Sequence, residues 1–171
     1  VTDLNIKTFV GKSLKCYIIQ TKCNFGGTVL EMELSTLIRV RYGETDRMGV
    51  VNNANYLNWF EVGRTEFCRQ LGKSYADWEK EGLFLPVVEA RCRYKNPAFY
   101  DDRIRIFTSL TGLKKFSIEF SYRLVKEGSS RPVAFGWTKH AMVDGSGKLI
   151  KGENPFLDWI KIKVKDFVEV S

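Results

Sequence analysis

Residues 41–72 read RYGETDRMGVVNNANYLNWFEVGRTEFCRQLG, a stretch that joins a polar loop to an apolar-striped helix. Gly43 to Asn53 has loop composition and carries Asp46 and Gly49. From Ala54 to Leu71 the apolar residues recur at helical spacing, and Gly72 is placed to cap the helix end. At 100° per residue, Tyr56, Phe60, Phe67 and Leu71 share an arc of about 60°, flanked by Leu57 and Cys68. Arg64 lies inside the arc that Leu57 and Cys68 bound. A guanidinium facing a core needs a partner, and Glu61 three residues earlier is within reach. A structural ion pair and a catalytic role both fit that placement.

The stretches on either side alternate with period two, the mark of half-buried strands. Before the loop, Leu34 to Tyr42 puts Leu34, Thr36, Ile38 and Val40 on one face. After Gly82 come four longer runs. Val88, Ala90, Cys92 and Tyr94 oppose Val87, Glu89, Arg91, Arg93 and Lys95. Ile104 to Leu110 follows, then Phe116 to Leu124, then a last run of Val133, Phe135, Trp137, Lys139, Ala141 and Val143. Turn-rich breaks separate them: Asn96-Pro97 to Asp102, Gly112, Gly128 to Pro132, and Asp144 to Gly147. Connections this short join antiparallel neighbours. A short helix is predicted over Ser74 to Glu81, capped by Ser74. The expected fold is α+β, with an antiparallel sheet of about five strands curled around one long helix.

Residues 1–33 form an N-terminal extension without a sustained period, apart from a short strand-like piece at Lys15 to Thr21. Residues 34–155 make the domain proper. Residues 156–171 form a segment packing on it, read as either a short helix or an edge strand, with Phe156, Trp159, Ile160 and Ile162 beside Lys161, Lys163 and Lys165.

Composition narrows the function classes. The 171 residues include 12 Phe, 7 Tyr and 4 Trp, with 44% hydrophobic and 27% charged, which excludes general disorder. The longest apolar run, Leu83 to Val88, falls far short of the ~20 residues of a membrane span. A net charge of +7 is compatible with nucleic acid, an anionic membrane or a phosphate-bearing ligand. The Lys and Arg residues are dispersed and no RNA-recognition pattern occurs, so a nucleic-acid partner is not expected. Cys16, Cys23, Cys68 and Cys92 show no C-x-x-C spacing and His140 is the single histidine, so no metal is expected. Apolar surroundings for Cys68 and Cys92 suit free thiols and a cytoplasmic location.

The loop and helix start suit acyl transfer. A helix N-terminus offers unpaired N–H groups to an oxyanion, Gly49 lets a ligand near the backbone, and Asp46 supplies a base or nucleophile. Asp followed by Gly is also ordinary turn composition. The stretch resembles the signature of the 4-hydroxybenzoyl-CoA thioesterase family of hotdog-fold proteins, through Tyr42, Thr45, Asp46, Gly49, Val50, Val51, Asn55, Tyr56, Phe60, Glu61, Arg64 and Gly72. The likeness continues in PVVEARCRYKNPAFYDDRIRI from Pro86, KKFSIEFSYRL from Lys114 and AFGWTKHAMVDGSGKLIKGENP from Ala134. It spans roughly Leu34 to Pro155 and follows the strand order derived above.

That resemblance implies hydrolysis of an acyl-CoA, or of an acyl carrier protein ester, to a carboxylate and a thiol. Asp46 would be nucleophile or general base, and the Asn53 N–H at the helix start would polarise the thioester carbonyl. Relatives often carry His or Tyr where Asn53 stands, so Asn53 enters through its backbone. The same resemblance implies a homo-oligomer, dimer or tetramer, and no cofactor beyond the coenzyme A of the substrate. Gly49, Val51 and Tyr56 are candidate substrate contacts; Arg91, Arg93, Lys114 and Lys115 are candidate phosphate ligands. Glu61 is the competing carboxylate, because a second hotdog lineage carries its catalytic Glu on the helix. His140 is a competing base. A non-catalytic protein that binds acyl thioesters as a sensor is the alternative function.

Overall fold

The computed structural model describes the backbone of residues 5–11, 14–22 and 28–169, and the side chains of 32–164. Strands β1 (Asn5–Gly11), β2 (Leu14–Lys22), β3 (Thr28–Arg39), β4 (Val87–Tyr94), β5 (Arg103–Lys114), β6 (Ser117–Lys126) and β7 (Pro132–Ala141) build one sheet. All neighbours are antiparallel, in the order β1-β2-β3-β5-β6-β7-β4. Helices α1 (Asn55–Gln70) and α2 (Tyr75–Lys80) lie between β3 and β4, and α3 (Pro155–Glu169) closes the chain.

The five strands expected after residue 33 are present, and two more precede them. β1 and β2 pair as a hairpin, and β2 pairs with β3 from Tyr17 opposite Glu33 to Lys22 opposite Thr28. The piece Lys15 to Thr21 is thus part of a nine-residue strand. β3 starts earlier and stops earlier than the alternation from Leu34 to Tyr42 indicates, because Tyr42–Glu44 turns as a 3-10 helix. The 156–171 segment is helical rather than an edge strand: Asn154 accepts from the Phe156 and Leu157 N–H groups, and Phe156 and Ile160 are fully buried. Cys23 and the side chains of Cys16 and Lys165 lie outside the described residues.

α1 packs against the sheet through the expected stripe. Tyr56, Phe60, Phe67, Cys68 and Leu71 are buried; Phe60 stacks on Tyr122 at 4.5 Å and Phe67 meets Phe120 edge-on at 5.5 Å. Leu57, by contrast, is exposed, and the buried tryptophan is Trp59, off the stripe. Gly63 costs helix propensity, yet a Cβ there would lie 2.6 Å from Thr108 Oγ1, so the glycine lets helix and sheet approach. Gly72 ends the helix at φ +99°. Ser74 caps α2 by accepting from the Asp77 N–H, as its spacing predicts.

Two faces differ from expectation. On β7 the residues turned to α1 are Ala134, Gly136, Thr138 and His140, whereas Phe135 and Trp137 lie on the opposite face. The Phe60 ring fills the space a Cβ on Gly136 would need, 2.2 Å from its carbon, so a bulky residue cannot face inward there. On β4 a bulge between Val87 and Glu89 breaks the alternation, so Val87 does not continue the Glu89, Arg91, Arg93 face.

Candidate active site

The loop from Arg41 to Ala54 is fixed by its own polar groups. Asp46 Oδ1 accepts from the Met48 N–H at 2.8 Å, and the Gly49 N–H donates to the Asp46 carbonyl. Gly49 sits at φ +77°, where a side chain would be strained, and the Asp46 N–H closes the turn onto the Val50 carbonyl at 2.9 Å. The strand-like return Val50–Val51 then docks on the segment after β4: the Val51 N–H donates to the Ala98 carbonyl at 2.9 Å.

Glu44 ties this loop to α1. Its side chain is only 6% exposed; Oε2 accepts from the Arg41 N–H at 2.7 Å and Oε1 from Trp59 Nε1 at 3.1 Å. Burial alone would raise its pKa, but the bonds from Arg41 and Trp59 hold the carboxyl below its ordinary value. Its carbonyl accepts from the Asn52 N–H and from Asn55 Nδ2. At the helix start, the Ala54 N–H donates to Asn52 Oδ1 and the Asn55 N–H to the Asn52 carbonyl. Between them the Asn53 N–H has no acceptor among the described residues. Tyr94 donates its hydroxyl to the Asn53 carbonyl at 3.2 Å, bridging β4 to the helix start.

These elements surround a cleft of about 370 Å³ lined by Asp46, Val50, Val51, Asn53, Tyr56, Tyr94, Lys95, Asn96 and Pro97. The structure therefore brings together four predicted site residues, Asp46, Asn53, Val51 and Tyr56. Gly49 shapes the turn behind them without lining the cleft. Tyr56 and Tyr94 meet edge-to-face at 4.9 Å, and burial raises both phenol pKa values, so each hydroxyl stays a neutral donor. Asp46 Oδ2 has no partner among the described residues.

The remaining predicted cations lie elsewhere on this chain. Arg91 is bonded to Glu89 at 2.6 Å and sits over the Trp137 ring. Arg93 is exposed on β4 opposite Phe135. Lys114 lies 3.8 Å from Glu119 and Lys115 over Phe116, both at the far end of β5, about 36 Å along the strand from the Arg103 end that borders the loop. The cation that lines the cleft is Lys95. Sequence alternation places it on the Arg91–Arg93 face; its place beside Val51 in the cleft depends on the docking of Val51 on Ala98, a long-range contact no local pattern reports.

The two competing groups are accounted for by packing. Glu61 is 65% exposed in its side chain and pairs with Arg64 at 3.3 Å, the partner expected from spacing. His140 is fully buried; Nδ1–H donates to the Leu85 carbonyl at 2.9 Å, so Nε2 accepts from Thr138 Oγ1, which in turn accepts from the Tyr122 hydroxyl. Burial pushes its imidazole down to about 4, against the opposing pull of the Leu85 bond, with the Arg64 charge adding to the drop.

Comparison with known proteins agrees with this architecture. A crystal structure of DHNA-CoA thioesterase from Staphylococcus aureus superposes with a TM-score of 0.71 at 31% identity, covering 81% of this chain and 91% of that one. A structure of the Aquifex aeolicus protein AQ1494 gives a TM-score of 0.69 at 36% identity, covering 74% and 98%. YneP of Bacillus subtilis, provisionally named an acyl-CoA thioesterase, is 37% identical over 123 residues, 71% of this chain and 88% of that one. The model of the thioesterase-like superfamily matches residues 40–166, a span holding the loop, the cleft and all three helices up to the last turns of α3. An antiparallel sheet carrying one buried helix face is the hotdog arrangement, and the chain belongs to the thioesterase-like superfamily.

Proposed function

We propose that the chain is an acyl-CoA thioesterase that uses Asp46 and the start of α1 as its catalytic pair. The observation that carries this reading is that Asp46 and Asn53 line one cleft, and each keeps a complementary group unpaired among the described residues: a carboxylate oxygen, Asp46 Oδ2, and a backbone donor, the Asn53 N–H. The thioester carbonyl oxygen accepts from the Asn53 N–H, and charge developing on it is favoured by the positive end of the helix. Asp46 either attacks the carbonyl carbon, giving an anhydride that water then cleaves, or takes a proton from an attacking water. In both routes the C–S bond breaks, the thiolate leaves and is protonated, and the carboxylate is released.

Val51, Tyr56 and Tyr94 offer an apolar, aromatic wall for the acyl or pantetheine portion, and Lys95 offers a cation for a phosphate. The same reading includes a homo-oligomer. β4 ends the sheet, and every side chain along it is exposed except Cys92, which is half-buried, so its free edge is suited to pair with a second copy. No helix among the described residues is long and apolar enough to cross a membrane. Cys68 and Cys92 are free thiols, which suits a cytoplasmic setting.

The test is thiol release from short, medium, long and aromatic acyl-CoAs, and from acyl carrier protein esters, for wild type and Asp46→Asn. The isostere removes the ionisable group and keeps the Met48 bond, so folding is retained. Turnover falls by about 10³-fold or more. Wild-type protein that binds acyl-CoA but releases no thiol from any ester would replace this reading with the sensor.

A further inference from the structure

Glu44 takes no part in the cleft, yet it is the most heavily bonded side chain of the loop. Its two oxygens hold three donors from two elements: the Arg41 N–H at 2.7 Å, Arg41 Nη2 at 3.0 Å and Trp59 Nε1 at 3.1 Å. Only Thr45 separates it from Asp46, and its own carbonyl receives the Asn52 N–H at 2.9 Å, one residue ahead of Asn53. Trp59 is buried and packs on Tyr56 at 4.9 Å, Tyr56 on Tyr94 at 4.9 Å, and Tyr94 reaches the Asn53 carbonyl. The loop end and the aromatic wall of the cleft are therefore both anchored at one carboxylate.

We propose that Glu44 is the positioning residue of this site: its buried carboxylate locks the Asp46 loop onto α1 so that Asp46 Oδ2 and the Asn53 N–H face the same reacting carbonyl. The inference rests on the thioesterase reading given above. A glutamate suits the place because every neighbour is a donor. A glutamine can still accept from Trp59 but turns an NH2 toward the Arg41 N–H, setting donor against donor. Nothing on Glu44 needs to touch substrate for this to matter, since a misplacement of about 1 Å can cost about 100-fold in turnover.

Glu44→Gln and Trp59→Phe are compared with wild type and with Phe156→Leu, a core change in α3 away from the loop, at a temperature where all are folded. Kinetics with acyl-CoA and amide hydrogen exchange of the substrate-free protein are both read. Glu44→Gln lowers kcat by about 10- to 100-fold with KM changed by less than about threefold, while Phe156→Leu loses thermal stability and keeps its kcat. Trp59→Phe, which deletes one donor and keeps an aromatic ring, gives a smaller loss. The double variant loses more than either single one, because Glu44→Gln disturbs the Arg41 side of the anchor and Trp59→Phe removes its bond to α1. Exchange of the amides of residues 46–55 speeds up in Glu44→Gln and not in Phe156→Leu. A kcat for Glu44→Gln matching that of Phe156→Leu, or unchanged exchange in 46–55, overturns the proposal. If Glu44→Gln does not fold, Trp59→Phe carries the same two readouts. The exchange result needs no substrate, so it judges Glu44 even if Asp46→Asn retains activity and the catalytic reading falls.

Discussion

Two polar clusters lie against the same helix, one at its start and one beneath its middle, and a tyrosine takes part in each. At the start, Asp46, Asn53, Tyr94 and Lys95 surround an open cleft, and a carboxylate oxygen and an N–H are left over. Beneath the middle, Tyr122 donates to Thr138, Thr138 to His140, and His140 to the Leu85 carbonyl, in a closed chain without water access. The chemistry available to a residue is set by the lone pairs and donors its surroundings leave unspent. His140, with both nitrogens committed and its imidazole near 4, cannot serve as a base near neutral pH. Asp46, with one oxygen holding a turn, keeps the other for a ligand.

The sharpest way to break this contrast is to act on the backbone donor. Asn53→Pro deletes the N–H and no hydrogen bond of α1, because the Asn53 N–H donates to nothing among the described residues. Turnover of an acyl-CoA falls by about 10²- to 10³-fold, the loss seen for one oxyanion donor. Asn53→Ala keeps the N–H and changes turnover less than about fivefold. Circular dichroism confirms that both fold. Equal losses in the two variants would move the function of this position from the backbone to the amide side chain.

The closed cluster answers to pH instead of to substrate. The folded-state pKa of His140 is about 4 against 6.5 for the unconstrained ring. Between those values the unfolded chain binds more protons, so His140 contributes full stability above pH 6.5, and the contribution is lost as pH falls toward 4. The amount at stake is on the order of 3 kcal/mol. The lowered pKa of Glu44 acts later: its contribution is present above the unfolded value of 4.5 and disappears as pH falls through its folded value. Urea midpoints measured from pH 8 to 4 decline for wild type, and the decline above pH 4.5 flattens in His140→Asn. An unaltered slope would remove His140 from the acid limb.

The open cluster was the more legible of the two in sequence. Asp46, Gly49 and the helix start lie within a dozen residues, and a turn followed by a capped amphipathic helix is local information. The closed cluster draws on β6, β7, the segment before β4 and α1, and period two identifies two faces of β7 without saying which is inward. Phe135 and Trp137 made the wrong face look like the core, because bulk ordinarily points inward. The Phe60 ring over Gly136 reversed that rule. Trp59 departs from the stripe for a related reason, since its ring is drawn in by the Glu44 carboxylate as well as by burial. Lys95 in place of Arg91 or Arg93 depends on the pairing of Val51 with Ala98, nearly fifty residues apart in the chain.

The smallest expected effect concerns the one carboxylate that α1 presents between the two clusters. Glu61 pairs with Arg64 at 3.3 Å, with the glutamate mostly in water and the arginine 19% exposed. Solvent screens such a pair, so Glu61→Gln lowers stability by less than about 1 kcal/mol. Arg64 is not stranded by the change, because it also lies against the Tyr122 hydroxyl. Turnover stays within about twofold, since Glu61 lines neither the cleft nor the loop. Melting temperature and kcat of this single variant therefore test both ends of the comparison. A collapse of turnover with an intact fold would transfer the catalytic carboxylate from the loop to the helix, and the unpaired oxygen of Asp46 would then be only the tail of a turn.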